Sequence, residues 1–405
     1  MWRSVHEKQK QMEHQLEACN IPLFHGEARF VTPHRIDILG RVDDSVISVH
    51  AHNFVIATGS KPRDDPNIYT DGHVIMTSDH IQKNLTDFPE SLAIVGAGVV
   101  GCEFATVFAN FGRTKVHIIN RSSRVLPFED RDISSALEKR FLEKGVEIHH
   151  NSQVKSLREE KERAHLVLVD KSGKEKSLVV EKALLSIGRV PHSAIPGMAS
   201  IGVQVNDNGT FVERNTQTSI PHIYVVGDAT ADVALVNMAE IEARYAINKM
   251  FGAPQNPLTY DNVSKIMFVD PLTAGVGLNE QEATAAKISH RVAFFRYDMS
   301  GRALTMGRTN GFIKLICTND GKHRVLGARA MGRHASSLIG IISVMIHMGK
   351  PVSELAESLK TAYPAILEGL HECARMMDHS SIMKPEAFPE SLMLKEVNFE
   401  EVAHA

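Results

Sequence analysis

No stretch of the 405-residue sequence approaches the run of about 18 apolar residues that a membrane-spanning helix needs. The opening segment, Met1–Cys19, is polar and helical in period, and it lacks the apolar core of a secretory leader. Cysteine is scarce. The four residues Cys19, Cys102, Cys317 and Cys373 have no spacing that suits a zinc site or a redox pair, and a reducing cytoplasm is the expected compartment. Neither charge dominates: 45 Lys and Arg stand against 48 Asp and Glu, for a net charge of −3. That balance argues against a nucleic-acid-binding face or a polybasic membrane patch. The most polar run, Lys155–Arg163, mixes both signs and reads as a solvated hairpin or helix end. What remains is ordinary globular composition, 43% hydrophobic and 23% charged, long enough for roughly two to four domains.

The pattern along the chain is mixed α/β. An amphipathic helix is expected up to about Ala18. Short strand-like pieces follow at Pro22–Phe24, Ala28–Val31, Arg35–Leu39 and Val46–Val49, then a buried strand at Phe54–Ala57. The next unit is β-α-β. Ser91–Val95 is an apolar strand, Gly96–Gly101 a turn, Cys102–Phe111 a helix closed by Gly112, and Lys115–Ile119 the returning strand. A helix at Arg131–Lys144 and a strand at Val146–His149 extend it. Meander-like strands are expected at His165–Val169 and Ser177–Val180, and Ala183–Ile187 leads into Gly188-Arg189. A second strand-to-loop junction, His222–Val226, runs into Gly227-Asp228, and a helix follows at about Asn237–Phe251. Beyond a linker at Pro254–Pro257, strands are expected near Lys265–Phe268, Ala274–Leu278, Val292–Phe295, Phe312–Cys317 and Arg324–Met331. Helices are expected at Ser336–Met348 and Pro364–Met377. The tail after about Ser380 has no clear period.

The loop Gly96-Ala97-Gly98-Val99-Val100-Gly101 carries the clearest chemistry. Gly96 permits a tight turn, Gly98 lets backbone approach a pyrophosphate, and Gly101 lets the helix pack close to the strand. Backbone N–H groups at the helix start, around Val99 and Val100, then face the phosphates. A GxGxxG alone is weak, but here an apolar strand precedes it and an amphipathic helix follows, so dinucleotide binding outweighs a purely structural turn.

The end of the returning strand bears on which nicotinamide is bound. NAD sites usually carry a carboxylate there, on the adenosine 2′-hydroxyl. This chain has Asn120, Arg121 and, three residues on, Arg124. An arginine can hold a 2′-phosphate that a carboxylate would repel. The residues lean towards NADP(H) or tolerance of both, against the plainer reading that both arginines point into water. Asp228, at the mouth of an apolar strand, can accept hydrogen bonds from a ribose or polyol, or it can simply cap a nearby helix.

Four ordered segments, Ala57–Pro62 (ATGSKP), Gly96–Ala105 (GAGVVGCEFA), Ser186–Pro191 (SIGRVP) and Tyr224–Thr230 (YVVGDAT), resemble the FAD-dependent pyridine nucleotide–disulfide oxidoreductases. Phe268–Ala283, Gly311–Ile316 and Arg324–Gly332 are similar to that family's C-terminal dimerisation domain. The resemblance spans roughly Pro22 to Met377. It implies Rossmann-like FAD and NAD(P) domains with an α+β dimerisation domain, FAD and NAD(P) as cofactors, and a homodimer. The implied division is 1–88 and 208–258 for FAD, 89–207 for NAD(P), 259–378 for dimerisation and 379–405 as a tail. It places Asp228, after Gly227, on the FAD ribityl chain. Thr58, Gly59, Gly188 and Arg189 would lie on the flavin side, Glu27 and Ala28 near the adenine, and Glu103 near the nicotinamide and flavin rings.

Two departures from the family pattern set further expectations. The family's first FAD-binding β-α-β unit, and the CxxxxC pair of its disulfide reductases, are expected to lie outside this chain. Where those reductases carry His-Pro with a Glu shortly after, this chain has Tyr363-Pro364 and Glu368. A phenol, with an ordinary pKa of about 10, is a poorer base for thiols near neutral pH than imidazole. Tyr-Pro at this place, like Phe294–Ala303, is similar to the soluble (Si-specific) NAD(P) transhydrogenases. The expected function is therefore hydride transfer between nicotinamides through flavin, with Tyr363, Glu368 and Glu103 at the catalytic site. The alternatives are a dihydrolipoyl dehydrogenase-like disulfide oxidoreductase and a non-catalytic dinucleotide-binding protein.

Overall fold

The computed structural model describes residues 2–41, 44–254 and 256–399. The chain divides into two compact units, 1–61 with 190–258, and 62–189 with 259–405.

The first unit opens with the helix Trp2–Ala18. The expected strand at Pro22–Phe24 is absent: these residues are exposed coil, because three residues led by a proline offer neither a ladder donor nor a buried face. Glu27–Thr32, Arg35–Leu39 and Val46–His50 form an antiparallel meander. Phe54–Ile56 pairs in parallel with Ile223–Val225, Val55 lying opposite Tyr224. Its burial differs from expectation. Ile56 is buried but Val55 is exposed, because only alternate residues face the core that Phe30, Met198, Phe211, Ile223 and Val225 make. The helix Val236–Met250 completes the unit.

The second unit contains a five-stranded parallel sheet. Its order is Ile75–Thr77, Lys182–Leu185, Ser91–Val95, Lys115–Ile119, Glu147–His149. The central strands are buried on both faces, which is why they read as continuous apolar runs. Leu92, Ile94, Val116 and Ile118 face the helices Val99–Phe111 and Arg131–Glu143. Ala93, Val95 and Ile119 face the antiparallel sheet Ser152–Glu160, Arg163–Asp170, Glu175–Val180. Each fully buried Leu or Ile here contributes roughly 1.5–3 kcal/mol. The expected solvated run Lys155–Arg163 is a hairpin whose turn residues, Lys161 and Glu162, both have positive φ.

The same unit carries a six-stranded antiparallel sheet with the helices Ala335–His347, Val352–Ser358 and Leu367–Met377. Its edge strand is Leu392–Val397, so the tail is not without structure. Leu392 lies opposite Phe295, and the Arg291 side chain, buried, donates to the Glu396 carboxylate and to the Met377 carbonyl. Strand partners supply the order that the segment's own short pattern did not announce.

Below the parallel sheet lies a buried ionic cluster. Lys314, fully buried on the central strand Phe312–Thr318, donates to Asp130 at 3.0 Å and Asp132 at 2.7 Å and lies 2.6 Å from Glu280. Asp130 also caps the helix Arg131–Glu143. Arg329 pairs with Glu129 beside it. These contacts join the helix layer of the parallel sheet to the antiparallel sheet inside one unit.

Candidate functional site

The glycine loop is built as its spacing requires. Gly96 adopts φ +110°, and a side chain there would meet the Ser186 carbonyl at 2.4 Å. At Gly101 a Cβ would lie 2.0 Å from the Gly96 carbonyl oxygen. Around Gly98 there is open space: a Cβ would meet nothing within 4 Å. Two glycines are thus closed against protein, and the third opens where a pyrophosphate would approach. Gly98 is the N-cap of Val99–Phe111 and offers no side-chain cap, so the first N–H groups of that helix, Val99 and Val100 among them, are available to an anion. The loop is held from behind by Leu126 N–H on the Ala97 carbonyl and by the Ser186 hydroxyl, which lies 3.0 Å from both the Val95 and Gly96 carbonyls. Sequence reasoning did not single out Ser186. Its position at the end of a neighbouring parallel strand, one step before Ile187-Gly188, was the available signal.

At the end of the returning strand the two arginines part company. Asn120 is buried; its amide donates to the Arg124 carbonyl at 2.7 Å and its Oδ1 accepts from Ser122 N–H, so it shapes the turn. The Arg124 guanidinium turns inward onto the Glu129 and Pro127 carbonyls and the Ser134 hydroxyl. Arg121 is exposed. Of the residues expected to choose the nicotinamide, only Arg121 presents its charge to solvent.

Glu103, one turn into the helix, accepts the Phe268 N–H at 2.9 Å. Gly188 accepts the Arg63 N–H, and Arg189 donates to Ser78 and to Asp79 at 3.0 Å. Tyr363 is 83% exposed, precedes Pro364 through a cis peptide, and places its hydroxyl near Gly301. Glu368 accepts the Ala365 N–H in the first turn of Leu367–Met377, which starts three residues later than Pro364 because the proline and its neighbours form an exposed turn first. A cavity of about 390 Å³ beside this turn is lined by Pro364, Ile366, Leu338 and Arg302.

In the first unit, Asp228 lies within the turn Gly227–Ala229 and does not cap a helix; its carboxylate accepts the Ser60 hydroxyl at 2.7 Å. Gly227 N–H donates to the buried Glu242, which the sequence reading missed. Thr58 donates to the His192 carbonyl and Gly59 accepts the His192 N–H. The structure therefore brings Thr58 and Gly59 to one loop pair and Asp228 to Ser60. Glu27 and Ala28 lie exposed at the start of the first meander strand.

The cysteines do not form a pair: all four are free, and Cys102, Cys317 and Cys373 are buried. Burial pushes all three thiols up, Cys317 to about 12. They are packing residues rather than nucleophiles.

Against known families, the pattern described as pyridine nucleotide-disulphide oxidoreductase matches residues 4–243, and that family's dimerisation domain matches 263–374. This chain belongs to that family. The family's enzymes are NAD(P)-dependent flavoprotein oxidoreductases that use FAD and NAD(P)H. The dihydrolipoyl dehydrogenase of Geobacillus stearothermophilus is 30% identical over 363 residues, covering 89% of this chain and 75% of that protein. That of Bacillus subtilis is 30% identical over 369 residues, 91% and 77% of the two chains. Among solved structures, LpdA of Mycobacterium tuberculosis superposes with a TM-score of 0.84 at 27% identity, covering 93% of this chain and 81% of that one. The expectation that the family's first FAD-binding unit lies outside this chain is not borne out, since the family match begins at residue 4. Among the described residues, no helix is long and apolar enough to cross a membrane.

Proposed function

We propose that this chain passes hydride between a nicotinamide dinucleotide and FAD. The Gly96–Gly101 loop carries the reading, closed at two glycines and open at the third. FAD, when bound, supplies the hydride acceptor and donor. The chain's own residues bind and orient. Helix N–H groups from Val99 receive the pyrophosphate of the nicotinamide, and Arg121 meets a 2′-phosphate where one is present. Asp228, braced by Ser60, would accept from the ribityl hydroxyls, with Thr58 and Gly59 along the flavin and Glu27-Ala28 near its adenine. Glu103, fixed by the Phe268 N–H, would border the reacting rings.

For the second substrate, the dihydrolipoyl dehydrogenase relatives favour a disulfide acceptor over the second nicotinamide of a transhydrogenase. Two observations favour the transhydrogenase-like reading, which is kept as the second: an exposed tyrosine, Tyr363, stands where a disulfide reductase would present histidine, and these four cysteines form no pair. The dimerisation domain supports a homodimer in which Tyr363 and Glu368 face the partner subunit, and the unpaired thiols suit a reducing cytoplasm. The experiment is turnover of NADH and NADPH by the flavin-loaded protein with lipoamide or with a thionicotinamide dinucleotide. Rapid lipoamide-dependent turnover supports the first reading. Transfer to the thionicotinamide without lipoamide turnover overturns it in favour of the second.

A further inference from the structure

On the parallel sheet, His117 lies opposite Glu147 and Ile119 opposite His149. Side chains alternate along a strand, so His117, Glu147 and His149 project from one face. It is the face whose apolar residues pack on the hairpin sheet. His117 Nδ1 stands 3.4 Å from His149 Nε2 and 3.2 Å from Glu147 Oε2. One donor atom from each of the three lies within 4.8 Å of the others. Neighbouring donors around a tetrahedral ion with bonds of about 2.0–2.1 Å are roughly 3.3–3.4 Å apart, close to the two distances from His117. The two rings lie at 21° to each other with centroids 5.7 Å apart. His117 is buried and His149 half-buried. Lys115 takes the other carboxylate oxygen, Oε1, at 2.8 Å, which leaves Oε2 turned towards the rings. Lys115 and Lys176 are the cations that face the cluster. Neither dinucleotide site uses any of these residues.

We propose that His117, His149 and Glu147 form a binding site for a divalent transition ion, with Zn²⁺ the best match to two imidazoles and one carboxylate and water as the fourth ligand. The ion clips the edge strand Glu147–His149 to Lys115–Ile119, beside the point where Asn120 N–H donates to the His149 carbonyl at 2.9 Å. It is a structural clip adjoining the nucleotide turn, and its binding does not depend on the enzyme's turnover.

The test is calorimetric titration of the chelator-treated full-length protein with Zn²⁺, with Co²⁺ as a spectroscopic substitute. The expected result is one tight equivalent and visible tetrahedral Co²⁺ bands. Glu147→Gln and His149→Ala should each weaken binding by more than the roughly 10–100-fold that loss of an outer-shell partner costs. His52→Ala, an exposed histidine elsewhere, should bind as the parent does. Zn²⁺ should raise the melting temperature of the parent and not of Glu147→Gln, a near-isosteric change at an exposed side chain that leaves folding intact. Equal Zn²⁺ affinity in the parent, Glu147→Gln and His149→Ala, or no binding in the parent, overturns the proposal.

Discussion

Gly101 and Gly96 close on each other so tightly that a methyl group on Gly101 would fall 2.0 Å from the Gly96 carbonyl oxygen. A Cβ added at Gly98, between them, would meet nothing within 4 Å. The same motif letter therefore has two physical meanings, and they separate experimentally. Gly101→Ala should destabilise the protein by about 1–3 kcal/mol or more through overpacking. Gly98→Ala should cost under about 1 kcal/mol of stability, the scale of an N-cap change, yet raise the dissociation constant for NAD(P)H at least about tenfold. Thermal melts and nicotinamide binding by fluorescence, measured on both variants, check this; equal losses of stability would refute it.

Arg121 and Arg124 should also separate. Arg121→Ala removes an exposed cation and should reduce NADPH affinity by up to about tenfold while leaving NADH affinity alone. Arg124→Ala strands the Glu129 and Pro127 carbonyls and should cost about 1–3 kcal/mol of stability with no change in the NADPH-to-NADH ratio. Competitive binding of the two nucleotides to each variant decides it.

The Lys314 cluster makes stability depend on acid. Burial alone would raise Glu280, but hydrogen bonds from Lys314 and Lys395 outweigh it and hold the carboxyl at about 2, below its ordinary 4.5. Because the folded value is the lower one, its contribution is complete above about pH 4.5 and is lost as pH falls towards about 2. Denaturation midpoints across that window should fall, and less steeply in Lys395→Met. Lys314→Met leaves Asp130 buried without its cation and should cost about 3–5 kcal/mol at neutral pH.

Much of this was legible because it is local. The β-α-β unit announced itself through the apolar run Ser91–Val95, the glycines and the left-handed Gly112, all features of neighbouring residues. What was not legible depends on partners distant in sequence. Lys314 sits in the run Gly311–Ile316, and nothing nearby shows that Asp130, Asp132 and Glu280 surround it. Leu392–Val397 becomes a strand because His290–Arg296 offers an edge. Arg124 and Arg121 look alike on paper; only the carbonyls around Arg124 tell them apart. The same holds for Ser60 and Glu242, each 15 or more residues from the group it supports.

Thiol chemistry gives a simple expectation. In the native protein a disulfide reagent should titrate one thiol, Cys19, promptly, and the other three only after denaturation. Prompt reaction of more than one thiol would contradict that account of the buried sulfurs.

The most direct measurement is anaerobic rapid mixing of the flavin-loaded protein with NADH or NADPH while the flavin absorbance is followed. The account predicts that the flavin band bleaches at a rate that saturates with nicotinamide concentration, and that Gly98→Ala shifts the half-saturating concentration upward. A protein that binds the nicotinamide at the Gly96–Gly101 loop but leaves the flavin band unchanged would contradict it.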